Sequence, residues 1–227
     1  MKRLLSVVVI IFISTMVANV FAFGSGTWTF GNFILKNGEN LDSVWFNMPV
    51  MHENKVKLKI NGKDVVLQAD SIEHIVLWSK QYPEIRYIFK SFRPNYFNPK
   101  DSTLRQSGVP IWLCLEAVAK NCTKWHEIGR PDFKKGKLRF KFNKMYSYIG
   151  RVYIMRNTDV APCFIPDKSK DAKKWVEFFF GDDPVLVEKF RNGEYEAKDW
   201  GYKYTDYDKI IEDYTPSISE NQQSKPE

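Results

Sequence analysis

Cys114 and Cys122 stand eight positions apart in "LCLEAVAKNCTKWHE", with His126 four residues past the second. Zinc ligands usually come in pairs two to four residues apart. Neither cysteine has such a partner, and His52, His74 and Cys163 lie far off without spacing of their own. No Cys-x-x-Cys occurs, so a dithiol redox site has no motif to rest on. The expectation is no metal and no cofactor.

The same stretch reads better as a hairpin turning at Lys120-Asn121. A two-residue turn sets Cys114 opposite Glu127, and a three-residue turn sets it opposite His126. In both cases Cys114 and Cys122 are farther apart than the Cα separation of about 7 Å that a disulfide tolerates. A bridge is therefore expected from Cys163 to either Cys114 or Cys122, leaving one buried, inert thiol. Asn121-Cys122-Thr123 matches a glycosylation acceptor only formally, because the leader and tail have a bacterial character.

Nucleophilic catalysis needs a base beside its nucleophile. His74 falls at a strand start, His126 in the hairpin and His52 in a loop, and no Gly-x-Ser-x-Gly elbow accompanies them. Asp182-Asp183 and Glu212-Asp213 are the conspicuous carboxylate pairs, and a hydrolase would need one such pair across a groove. Both sit where carboxylates serve helix ends or face water. No catalytic residue is assigned. Seven tryptophans point instead to binding. Trp78, Trp112, Trp125 and Trp175 fall on inward-facing positions. Trp28, Trp45 and Trp200 are harder to bury by pattern and are the candidate ligand contacts, for a glycan above all.

The elements that hold these residues are strands first and helices last. Asn37-Gly38 and Asn61-Gly62 each separate β-prone runs, and Asn-Gly tolerates the positive φ of a tight turn. Val56, Leu58 and Ile60 alternate with Lys55, Lys57 and Lys59, giving one dry and one wet face. "HIVLW" and "RYIFKSF" continue the sheet toward a curled, partly open barrel. Three prolines in Arg93–Pro110 mark a domain boundary, and "IWLCLEAV", "TKWHEI", "KLRFKF" and "SYIGRVYIMR" form a second sheet. Ala172, Trp175, Val176, Phe179 and Phe180 make a helical stripe, capped by Ser169 and ended by Gly181. Asp183 caps a second helix that starts at Pro184 and stops at Gly193. Thr205 caps a third, with Tyr207, Ile210, Ile211 and Tyr214 inward. The fold class is α+β: a hairpin-rich N-terminal β domain (residues 23–98), a second sheet with three short C-terminal helices (99–215), and a disordered tail (216–227).

Residues 1–22 read as a cleaved secretory leader. Lys2 and Arg3 precede the apolar "LLSVVVIIFI", and Val20 and Ala22 precede the cut. Ser14, Thr15 and Asn19 interrupt the run, so it falls short of the roughly 20 apolar residues of a membrane span. No later stretch is apolar enough to cross, so the mature chain is expected to be exported, periplasmic or extracellular. Without the leader, 32 cations face 27 acids. The densest basic run, "DFKKGKLRFKFNK", alternates at period two and reads as a solvated sheet face rather than a nucleic-acid surface.

"FILKNGENLDSVWF", "KLKINGKDVVLQADSIEHIVLW", "LEAVAKNCTKWHE", "GRVYIMRN" and the close "FFFGDDPVLVEKFRNGEYEAKDW" through "IIEDYT" together resemble a group of uncharacterised exported β-rich proteins, periplasmic or cell-envelope, of Bacteroidetes-type bacteria. The likeness spans most of residues 27–214. Its motifs are loose and none carries catalysis, so it implies location and fold class and supplies no functional residues. Cys122 stands where a glycine is more usual at that turn. The chain is thus expected to be an exported, non-enzymatic protein binding an envelope protein or glycan. The alternatives are a polysaccharide hydrolase with an Asp/Glu pair and an assembly subunit using its sheet edge.

Overall fold

The structure is a computed structural model that describes residues 28–49, 52–79, 82–128, 130–134, 137–141, 151–199 and 202–217. The expected leader, Trp200 and all but the first two residues of the expected tail lie outside the described residues. The class is α+β, as the pattern of runs implies. The first strands are β1 (Trp28–Leu35), β2 (Asn40–Asn47), β3 (Lys55–Ile60), β4 (Lys63–Gln68), β5 (Ile72–Ser79) and β6 (Tyr82–Phe92). Then come β7 (Asn95–Asn98), β8 (Thr103–Gln106), β9 (Ile111–Val118), β10 (Cys122–Glu127), β11 (Arg130–Lys134), β12 (Lys137–Lys141), β13 (Val152–Arg156) and β14 (Cys163–Phe164). The chain closes with α1 (Ser169–Phe179), α2 (Pro184–Arg191), β15 (Glu196–Asp199), β16 (Tyr202–Thr205) and α3 (Tyr207–Asp213).

Twelve strands share one sheet in the order β4-β3-β2-β1-β5-β6-β9-β10-β13-β14-β7-β8, while β11-β12 and β15-β16 are separate hairpins. The sheet does not close into a barrel. Strands on both sides of the Pro-rich stretch are joined directly, since β6 pairs with β9 through Phe89↔Cys114 and Phe92↔Ile111. The stretch itself carries β7 and β8, which lie at the far edge.

The alternation of side chains shows that this sheet curls twice, in opposite senses. Phe33, Phe46, Leu58, Ile75, Leu77, Phe89, Trp112 and Cys114 share one core. Phe92, Ile111, Leu113, Trp125 and Tyr153 form another. On β9, Ile111 and Leu113 belong to the second core, while Trp112 and Cys114 belong to the first, so the two cores lie on opposite faces. That is why β9 reads as an unbroken apolar run. Trp112 Nε1 donates to the Glu53 carbonyl at 2.9 Å, tying β9 to the loop before β3 and closing the first curl. Only residues 93 and 94 join β6 to β7. Three Cα steps reach at most about 11 Å, so β9, β10, β13 and β14 must bend around to bring β7 back beside the end of β6.

The helices cover the back of the second curl. Trp175, Val176, Phe179, Phe180, Leu186, Ile210 and Ile211 pack with Cys122, Ile154, Cys163 and Ile165 in a third core. Asp183 caps α2 as expected, accepting from Leu186 N at 3.0 Å, and Gly193 follows the helix at φ +79°. Two caps differ. Lys168, with no side-chain bond, precedes α1, so Ser169 is already helical. Asp206 caps α3 because Thr205 still belongs to β16. The chain is held past Tyr214: Thr215 N donates to Asp183 Oδ2 and Ser217 N to the Asp182 carbonyl.

The expected bridge from Cys163 to Cys114 or Cys122 is not formed; all three are buried free thiols. Cys122 pairs with Arg156 on one side of β13 and Cys163 with Ile154 on the other. Two strand spacings, roughly 10 Å, separate them, beyond the reach of about 7 Å. Cys114 is a further strand away, in a different core. The Lys120-Asn121 turn does form, with Ala119 N donating to the Cys122 carbonyl. A bulge between Lys124 and Trp125 then shifts the register so that Cys114 faces His126.

Candidate functional site

Five strands of the first curl bring one row of side chains to its convex face. Lys59 on β3 pairs with Trp45 on β2, and Trp45 with Phe30 on β1. Gly31↔Leu77 places Phe30 beside Trp78 on β5, which pairs with Arg86 on β6. The Phe30 ring meets Trp45 edge to face at 5.4 Å and Trp78 likewise at 5.7 Å. The Arg86 guanidinium lies 4.7 Å from the centroid of the Trp78 ring. Lysine, three aromatic rings and arginine thus stand in line over four strand spacings, about 19 Å.

Local sequence builds this row by period two. Phe33, Val44, Phe46, Ile75 and Leu77 turn into the core, so Phe30, Trp45 and Trp78 must turn out. A residue larger than glycine at 31 would put its Cβ 2.7 Å from the Val76 carbonyl and 3.0 Å from the Phe46 ring, so Gly31 lets β1 and β5 meet at the row. Beside it, Asn32 Oδ1 accepts from Ser43 N at 2.8 Å and steadies the bulge where Ser43 takes φ +55°. Each edge-to-face pair contributes about 0.5–1.5 kcal/mol beyond burial, which stiffens the rings as a platform.

Trp45 is 45% exposed, the most open tryptophan described. Of the other two expected contacts, Trp28 lies in β1 with its side chain outside the described residues, and Trp200 is outside them altogether. Trp112, Trp125 and Trp175 are core, as their patterns imply. Trp78 is not; it is half-buried on the convex face. Its neighbours in "HIVLW" carried the signal: Ile75 and Leu77 point in, so His74, Val76 and Trp78 point out. Phe30 and Arg86 were also missed, because only strand pairing shows that they adjoin it.

Most of the conspicuous carboxylates and all three cysteines are engaged in structure. Asp183 caps α2, Asp182 accepts from Tyr214 at 2.7 Å, and Asp213 accepts from Tyr195 at 2.9 Å. Glu212 is exposed. Glu127 accepts from buried Tyr153 at 2.8 Å, and burial drives that phenol's pKa far up. Burial pushes the Cys114, Cys122 and Cys163 thiols up to about 12, so they stay protonated. Cys163 also accepts from Trp175 Nε1 at 3.1 Å. Burial lowers His74, favouring neutral imidazole. The Asn121 amide donates to the Tyr214 carbonyl at 2.9 Å, which ties the formal glycosylation acceptor into the fold. Among the described residues no three His, Cys, Asp or Glu gather as metal ligands, and no helix is long and apolar enough to cross a membrane.

No protein-family model matches the chain, and no curated protein or solved structure matches it either.

Proposed function

We propose that this is an exported, non-enzymatic binding protein of the cell envelope, periplasmic or extracellular, that holds a glycan on the convex face of its first curl. The observation that carries the reading is the row Trp45–Phe30–Trp78, three rings in register on a wet face. A sugar ring presents an apolar face of C–H groups, and an aromatic side chain offers it contact area at little entropic cost. The polar neighbours Asn32 and Lys59 flank the rings and supply hydrogen bonds of the kind that fix orientation. Of the four conspicuous carboxylates, Asp183 is a helix cap and Asp182 and Asp213 are tyrosine partners, which favours binding over hydrolysis. The leader pattern of residues 1–22 supports export, and a mature chain beginning at Phe23, found by mass spectrometry of the secreted product, is the expected result.

The test is a glycan array probed with the mature chain and with Trp45→Ala. At least one glycan class is retained by the parent, and the substitution weakens it about tenfold or more, the scale of a lost anchor. Unchanged binding by the variant overturns the assignment of the site.

A further inference from the structure

The charge around the row names the class of sugar. Lys55, Lys57 and Lys59 alternate on the outward face of β3 and are all exposed. Their spacing along the strand is about 6.6 Å per step. Lys59 opens the aromatic row and Arg86 closes it. Across from the lysines on β4 stand Gln68, Val66 and Asp64, a single carboxylate facing three cations. Among the described residues no carboxylate pairs with Lys55, Lys57 or Arg86. Several cations elsewhere do have carboxylate partners: Lys90 with Glu73, Lys124 with Glu116 and Asp208, Arg156 with Asp159, and Arg191 with Glu177. Cations without a carboxylate partner therefore flank the rings on both sides, Lys55 and Lys57 on β3 and Arg86 on β6.

We infer that the ligand is an acidic polysaccharide whose carboxylates lie along Lys55, Lys57 and Arg86 while its rings stack on Trp45 and Trp78. The inference rests on the glycan reading and adds the ligand's charge. Rings that cross the strands, with cations beside them along β3 and at Arg86, match a chain that carries both flat apolar faces and carboxylates. Surface cations in high dielectric each contribute modestly, and their sum is sensitive to salt.

The experiment measures binding of the mature chain to polygalacturonate and to its fully methyl-esterified form, which keeps the backbone and loses the charge. At low salt the acidic form binds at least about tenfold more tightly. The gap closes as salt shortens the screening length. Lys55→Gln/Lys57→Gln removes most of the gap, with unchanged circular dichroism showing an intact fold, while Trp45→Ala weakens both polymers. Equal affinity for the two polymers overturns the acidic assignment and leaves the glycan reading standing. Binding of neither polymer, nor of any arrayed glycan, overturns both. Single-stranded DNA or anionic lipid vesicles bound as tightly as polygalacturonate would also overturn the inference, because the face would then answer to charge alone.

Discussion

The two halves of the sheet stabilise themselves in different ways, and the contrast shows where aromatic rings are buried and where they reach the surface. The first curl is strands apart from one 3-10 turn at Ala69–Ser71. Its core is closed by the sheet folding over itself, and its convex face stays wet. The second curl encloses Trp125 and Tyr153 on one face and is roofed by three helices on the other. In the second half aromatic rings are spent on burial: Trp175 stacks on Phe179 at 4.8 Å and meets Phe180 at 5.8 Å. In the first half a comparable chain of rings lies at the surface, Trp45 exposed and Phe30 and Trp78 half-buried. Rings at the surface contribute less to stability than buried ones, which leaves this row open to the role proposed above.

The contrast is sharpest between two tryptophans. Trp175→Ala removes a fully buried indole and strands the Cys163 sulfur contact, so a loss of about 3–5 kcal/mol is expected in urea unfolding. Trp45→Ala should cost under about 1.5 kcal/mol, the scale of its edge-to-face pair, while abolishing most glycan binding. Similar stability losses for the two would break the comparison.

Gly31→Ala is next in size. Its Cβ meets backbone rather than a flexible side-chain tip, so β1 and β5 must part, at roughly 1–3 kcal/mol. Glycan affinity should fall with it, because Phe30 and Trp78 separate. Asp183→Ala on the helical side should cost about 0.5–2 kcal/mol for the lost cap of α2, and leave affinity unchanged.

Thiol chemistry separates the halves less and tests the disulfide question directly. Without reductant, the unfolded protein should yield three titratable thiols, and the native protein essentially none at pH 8, since burial holds each near 12. A count of one on unfolding would restore the bridge.

The smallest effect is on pH. Burial opposes ionisation of Asp213, but hydrogen bonds from Tyr195 and Lys189 outweigh it and hold the carboxyl below its ordinary value. A carboxylate depressed in the folded state stabilises above its unfolded pKa of about 3.9. That contribution fades as pH falls through the folded value. Asp213→Asn should therefore flatten the acid limb of a thermal-stability profile and leave the neutral region nearly unmoved.

Much of the secondary structure was legible because its signals are local. Asn61-Gly62 takes positive φ at both residues, 51° and 76°, and joins β3 to β4 as a tight turn. Asp183-Pro184 starts α2 where cap and proline say it should. The site was half legible. Trp45 shows in the sequence as a ring with nowhere to go, whereas Phe30, Trp78 and Arg86 become neighbours only when β1, β5 and β6 pair.

From the order of its residues alone, this protein has its alternating strands, its amphipathic helices, its turns and the types of residue that point in or out. Those depend on steric and hydrophobic preferences acting within a few residues. Which strands adjoin, which way the sheet bends and which sulfur meets which strand were decided by tertiary packing. Pairing joins positions far apart in the chain, and two opposed curls are the way this sheet buries apolar residues on both faces of β9.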